Sequence, residues 1–211
     1  DPHLQAGVKQ WPADKDLPSR RPVFIAGSDA HGDFNYHVGW AWDYREVDVN
    51  DSALGKVRTA VHLPEHEAAT VPETGDILSA LKRGACVVTD GPLLEFSIAF
   101  NGQSATVGQV LNVSGDGDLE MKVVAHTTRE LGQVEQVEIV TYFAGQRKRD
   151  PRRTKLDAKS GKLVLLDGLQ GYVRLECQTV GASGESFCCF TNPIWVRFTD
   201  QVKRRMFASF P

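Results

Sequence analysis

The 211-residue sequence is poor in cysteine, with 4, and in methionine, with 2. No stretch approaches the ~18 consecutive apolar residues that a membrane-spanning helix needs, so no membrane association is expected. Four cysteines exclude a small disulfide scaffold, in which crosslinks replace a core, and leave the redox compartment and the localisation open. Neither sign of charge is in excess: 24 basic and 27 acidic residues give a formal net charge of −3. Nucleic-acid binding needs a concentrated basic surface, so that class of partner is disfavoured. Internal repeats and low-complexity tracts are lacking. The first residues, Asp1-Pro2-His3, carry neither an initiating methionine nor the pattern of a secretion signal, so a natural start elsewhere is expected. What is there is a composition of 41% apolar and 24% charged residues, that of a soluble globular chain of one to two domains.

The chain divides by charge and by period. Residues 1–92 hold 9 basic and 14 acidic side chains, a balance suited to cations. In this front segment Pro22-Val23-Phe24-Ile25-Ala26 reads as a strand covered on both faces. Residues 76–83 repeat apolar positions at helical spacing, with Thr74 as the expected N-cap and Gly84 as the stop. Cys86 to Thr89 reads as a second strand, closed by the turn Asp90-Gly91-Pro92. From Leu93 the period becomes two, and about seven short strands follow: 94–100, 119–126, 134–143, 162–166, 172–180, 185–190 and 194–198. The expected fold is mainly β with a small α/β part: an immunoglobulin-like β-sandwich over 93–198, then a tail or docking peptide over 199–211.

Chemistry is most concentrated at Gly27-Ser28-Asp29-Ala30-His31-Gly32, directly after the first expected strand. Loops beyond the carboxyl ends of strands carry the functional groups of α/β folds. Asp29 and His31 offer a carboxylate oxygen and an imidazole nitrogen on one tight loop, donors suited to Zn, Mn or Fe. Asp33, Asn35 and His37 follow on the same loop as candidates to orient those ligands or to touch substrate, although a solvated loop is the plainer reading of them.

Two further segments extend this motif into a pattern: Ile77 to Leu94, reading ILSALKRGACVVTDGPLL, and Thr191-Asn192-Pro193-Ile194-Trp195-Val196. In this order and spacing the three motifs resemble the C-terminal half of a PHP (polymerase and histidinol phosphatase) superfamily metallohydrolase, more closely its carbaryl-hydrolase-like branch. The similarity spans about residues 20–198. It implies that residues 1–92 are the remnant of a PHP-type β/α barrel, and that Asp29 and His31 belong to the last metal-binding motif of a multinuclear site. It implies hydrolysis of a small-molecule phosphoester or carbamate or carboxyl ester by metal-activated water. The sequence departs from the family upstream: the His-x-His motif and the middle His and Glu ligands belong before Asp29, where only 28 residues stand and His3 is the sole histidine. The expectation is therefore a C-terminal fragment with an incomplete metal site, inactive alone and associated with another chain or copy. The alternative is a sandwich that binds carbohydrate or a protein partner without catalysis.

Weaker signals have plainer readings. His62 and His66 are spaced for one helical face, but Pro64 lies between them. Asp116-Gly117-Asp118-Leu119-Glu120 breaks off as a calcium series and reads as a hairpin turn. The basic run Arg147 to Lys155 reads as a solvated loop between strands. Trp40, Trp42 and Trp195 read as packing aromatics rather than a stacking platform. A hairpin centred on Ala182-Ser183 would place Cys177 opposite Cys188, within disulfide reach, with free thiols the expected state.

Overall fold

The structure is a computed structural model, and it describes residues 21–27, 56–63, 71–114, 119–143, 152–156, 160–163 and 170–198. These form a mainly β architecture of two sheets and one helix. Strand β1 (Arg58–Val61) is followed by helix α1 (Thr74–Arg83), β2 (Cys86–Thr89), β3 (Leu93–Phe100), β4 (Gln103–Thr106) and β5 (Val110–Val113). Then come β6 (Leu119–His126), β7 (Gln133–Phe143), β8 (Arg152–Leu156), β9 (Ser160–Leu163), β10 (Gln170–Val180), β11 (Ser186–Thr191) and β12 (Ile194–Phe198).

Four strands in the order β4-β3-β6-β9 make one sheet. The other has eight, with β10 at its centre: β7 lies along one side, extended by β8, while β11 and β12 divide the other side between them. Beyond β11 come β2 and β1, and beyond β12 lies β5, in parallel. Alternation decides what faces inward. Leu94, Phe96, Ile98 and Phe100 of β3 meet Val173, Leu175 and Cys177 of β10 in one buried core between the sheets. Each such side chain contributes about 1.5–3 kcal/mol by leaving water. The inward positions of β6, Leu119, Met121 and Val123, complete that layer.

The chain crosses from one sheet to the other between β4 and β5, at Gly108. There φ is +85°, and a Cβ would stand 2.6 Å from the backbone of Arg83, Gly84 and Ala85. Only glycine permits that approach to the end of α1. Helix α1 has Glu73 as its N-cap residue, one position before the expected Thr74, with no side-chain cap bond, and it ends as expected at Gly84 in the left-handed conformation.

Four expectations differ from this fold. Pro22 to Ala26 forms no strand, and Ile25 is 69% exposed rather than covered. Strand β2 pairs with β11, so the eight-stranded sheet runs across the boundary placed at residue 92. Part of the basic run, Arg152–Leu156, is a strand rather than a loop, because its residues pair with Val137 to Thr141. The β10–β11 hairpin closes through residues 181–185, with Gly181 N–H donating to the Glu185 carbonyl. That five-residue turn moves the register by one, so Cys177 faces Cys189 and not Cys188.

Candidate functional site

Asp29, His31, Asp33, Asn35 and His37 all lie outside the described residues, but the chain segment that leads into them is described. Residues 21–27 run from Arg21 over the Trp195 ring, past Asn192, to Thr59 of β1, and the polar backbone groups of Phe24 and Ala26 are met by side chains. Phe24 N–H donates to Asn192 Oδ1 at 2.7 Å, and Asn192 Nδ2 donates back to the Phe24 carbonyl at 2.9 Å. Two residues on, Ala26 N–H donates to Thr59 Oγ1 at 2.8 Å, and that hydroxyl donates to the Ala26 carbonyl at 2.8 Å. One amide and one hydroxyl thus replace a strand ladder, which is why an apolar run beginning in proline needs no strand of its own.

Asn192 is fully buried between β11 and β12, and its amide also donates to the Cys86 carbonyl at 2.9 Å and to Cys86 Sγ at 3.2 Å. The Cys86 thiol in turn faces the Phe24 carbonyl at 3.7 Å, and Val23 lies against Gly84. Cys86 and Asn192 belong to two of the sequence motifs, and Phe24 to the segment just before the third; here they share one buried junction. The turn of the middle motif is built with equal care. Gly91 N–H donates to Thr89 Oγ1 at 2.9 Å, Thr89 Oγ1 donates to the Pro92 carbonyl, and Cys188 N–H donates to Asp90 Oδ1 at 2.6 Å. Thr89 and Asp90 therefore fix the chain direction between β2 and β3 rather than face solvent as reactive groups.

A second polar group lies on the outer face of the same sheet, where Tyr172, Arg174 and Glu176 alternate along β10. Tyr172 stacks on Tyr142 and meets Trp195 edge-on, each at 5.8 Å between ring centroids, so Trp195 packs as expected of a core aromatic. Arg174 is 1% exposed, its guanidinium 5.8 Å from the Phe24 ring centroid and its Nη2 2.6 Å from Glu176 Oε1. Among the described residues its Nε and Nη1 have no hydrogen-bond partner, and burial pulls its pKa down against the pull of Glu176. Arg153 of β8 grips Glu176 at 2.6 and 3.1 Å and reaches Glu138 at 3.2 Å, which raises its pKa. The charge of that residue from the basic run is thus taken up inside the protein rather than offered to a polyanion.

Three of the four thiols are held protonated. Burial pushes Cys86 up to about 11, and burial together with Asp90 pushes Cys188 up to about 12. Cys189, hydrogen-bonded to Cys177 and buried, is held well above the ordinary thiol value. All four cysteines are free; the three raised thiols are protonated and inert, while the hydrogen bond with Cys189 lowers the Cys177 thiol. His62 follows β1 rather than sitting on a helix, its N–H donating to the Ala85 carbonyl at 2.8 Å. His66 lies outside the described residues, as do Trp40, Trp42, Asp116 to Asp118 and Arg147 to Pro151.

Among the described residues no group of three or more His, Cys, Asp and Glu side chains could hold a metal ion. Among the described residues no helix is long and apolar enough to cross a membrane. Sequence reasoning passed over Asn192 and Arg174. The first was signalled by its place between Thr191 and Pro193 in a quoted motif, the second only by a lone charge in an apolar alternation. Compared with known protein families, curated proteins and solved structures, the chain matches none of them.

Proposed function

We propose that this chain is the C-terminal part of a metal-dependent hydrolase of the PHP type, in which Asp29 and His31 are two of the ligands of a divalent Zn, Mn or Fe ion. The sandwich, immunoglobulin-like in plan, is then an accessory domain behind the remnant of a β/α barrel. One observation carries the reading: Asn192 of the last motif grips Cys86 of the middle motif and, at Phe24, the chain five residues before Asp29. Segments far apart in sequence that share one buried joint are a single structural unit, and the chain leads from this unit toward the Asp-x-His motif.

The substrate is a small phosphoester or a carbamate or carboxyl ester. Asp33, Asn35 and His37 are the candidates to orient the ligands or to touch substrate. Two ligands do not complete a site, so on this reading the chain alone is inactive. Among the described residues the exposed large apolar side chains, Ile25, Val71 and Leu78, lie in the front segment, which supports association there with another chain or copy. The test is hydrolysis of phosphoester and carbamate substrates by the full-length gene product. Asp29→Ala and His31→Ala should each abolish turnover, and retained turnover in both would end the proposal.

A second reading, a binding module without catalysis, is favoured by a different observation, a half-enclosed cavity at the edge of the sandwich. It predicts ligand binding that survives Asp29→Ala.

A further inference from the structure

The cavity has a volume of about 200 Å³ and is bounded by β1, β2, β3, β6 and the end of β4. Its walls are largely apolar: Ala60, Val61, Leu93, Val107 and Val124, with Val87 behind them. Leu93 and Val124 are only half-buried, although each is an apolar residue on the outward face of its strand. A dry cavity of about 150 Å³ lined by aliphatic and aromatic groups takes up benzene, so this one has room for a single ring plus a short substituent.

Its polar groups are few and of one kind. Register places Ser97 directly between Thr106 of β4 and Lys122 of β6, so two hydroxyls and an ammonium form one row across three strands at the edge of the cavity. Side chains so paired stand about 4.5–5.5 Å apart at Cβ, close enough to converge on one ligand group. His62 contributes an imidazole beside them. The one acid in the lining, Glu95, is engaged by His126 Nε2 at 2.9 Å. Lys122 and His62 make no ion pair or side-chain hydrogen bond among the described residues. An apolar pocket whose available polar groups are an ammonium, an imidazole and two hydroxyls matches a ligand with an apolar body and an anionic end.

We infer that this cavity binds a small monocarboxylate with a single-ring or short aliphatic body, its carboxylate on Lys122, Ser97 and Thr106. The inference uses neither Asp29 nor His31 and stands apart from the hydrolytic reading.

The test is calorimetric titration of the 211-residue chain with phenylacetate and with 2-phenylethanol, which keeps the ring and loses the charge. Phenylacetate should bind with Kd below ~1 mM, within the efficiency range of small ligands, and the alcohol ~10-fold or more weaker. Lys122→Gln, on an exposed strand position, should bring phenylacetate to the affinity of the alcohol, while Asp29→Ala should leave it unchanged. Val124→Trp should remove both ligands by filling the space. Should that variant not fold, methyl chemical shifts of Val87, Leu93 and Val124 in the unaltered chain must move on phenylacetate addition. Equal affinity for acid and alcohol, an unaffected Lys122→Gln variant, no binding of either probe, or shifts confined to other regions would each overturn the inference.

Discussion

Removing the amide of Asn192 should loosen the segment leading to Asp29 before it unfolds the sandwich. In Asn192→Ala the Phe24 N–H loses an acceptor at 2.7 Å, and the Phe24 and Cys86 carbonyls each lose a donor at 2.9 Å. A net hydrogen bond is worth about 0.5–1.5 kcal/mol, and a buried group left unsatisfied costs about 1–3 kcal/mol. The Cys86 carbonyl keeps the backbone N–H of residue 192 at 3.3 Å, which lowers the total. The expected loss is about 2–4 kcal/mol, or roughly a 30- to 700-fold rise in the open population. Hydrogen exchange at the Phe24 and Ala26 amides reads that opening directly, and urea unfolding reads the sandwich separately.

Asn192→Asp supplies the sharper contrast. Its carboxylate still accepts from Phe24 N–H but turns an oxygen toward two carbonyls that the amide nitrogen had bonded. Burial raises the pKa of such a carboxyl above its unfolded value. Its protonated form therefore stabilises the junction at low pH, and that stabilisation is lost as pH rises through the folded-state value. At pH 8 this variant should be at least as open as Asn192→Ala, and it should recover on acidification. Unchanged exchange at Phe24 and Ala26 in Asn192→Ala, or full protection in Asn192→Asp at pH 8, would refute the reasoning.

Glu176→Ala should destabilise the chain by about 3–5 kcal/mol in urea melts, because it strips a buried arginine of its ion-pair partner, whereas Arg174→Met should be near neutral. The raised thiols make stability sensitive to alkali. Their protonated forms are favoured by folding, so stability is full below about pH 9 and falls as pH climbs toward the folded-state values of about 11 for Cys86 and about 12 for Cys188. Cys188→Ser should flatten that fall by up to ~1.4 kcal/mol per pH unit, measured by urea melts across pH 8 to 11. Gly132→Ala would place a Cβ 1.8 Å from the Val180 carbonyl oxygen at a φ of +76°, so it should cost several times the ~1 kcal/mol of an ordinary glycine replacement. A melting curve like that of the unaltered chain would contradict that geometry.

Much of the sandwich was legible because its strands alternate cleanly. The expected spans 119–126 and 194–198 coincide with β6 and β12, and Asn101-Gly102 turns β3 into β4, both residues at positive φ. Strand β4 was not legible, since Gln103 to Thr106 buries only Ala105 and carries no apolar period. Nor was β8, whose Arg153 sits in a strand because Glu138 and Glu176 receive its charge across β7 and β10, a partnership that only register reveals. The reverse error came from Pro22 to Ala26, where apolarity suggested a buried strand. Its backbone is instead met by the side chains of Asn192 and Thr59, distant in sequence. The cysteine register turned on the length of one hairpin loop, which Gly181 and Gly184 each punctuate without fixing. Near the candidate site, the junction of Phe24 and Cys86 at Asn192 was not legible, because no local pattern tells an asparagine that it will bond a peptide 168 residues away.

The most direct test of the central claim is the metal content of the purified full-length gene product beside its Asp29→Ala and His31→Ala variants. The account predicts bound Zn, Mn or Fe in the unaltered protein and a marked loss in both variants, with the sandwich still folded by circular dichroism. Equal metal in all three proteins, or none in the unaltered one after reconstitution with each ion, would contradict it.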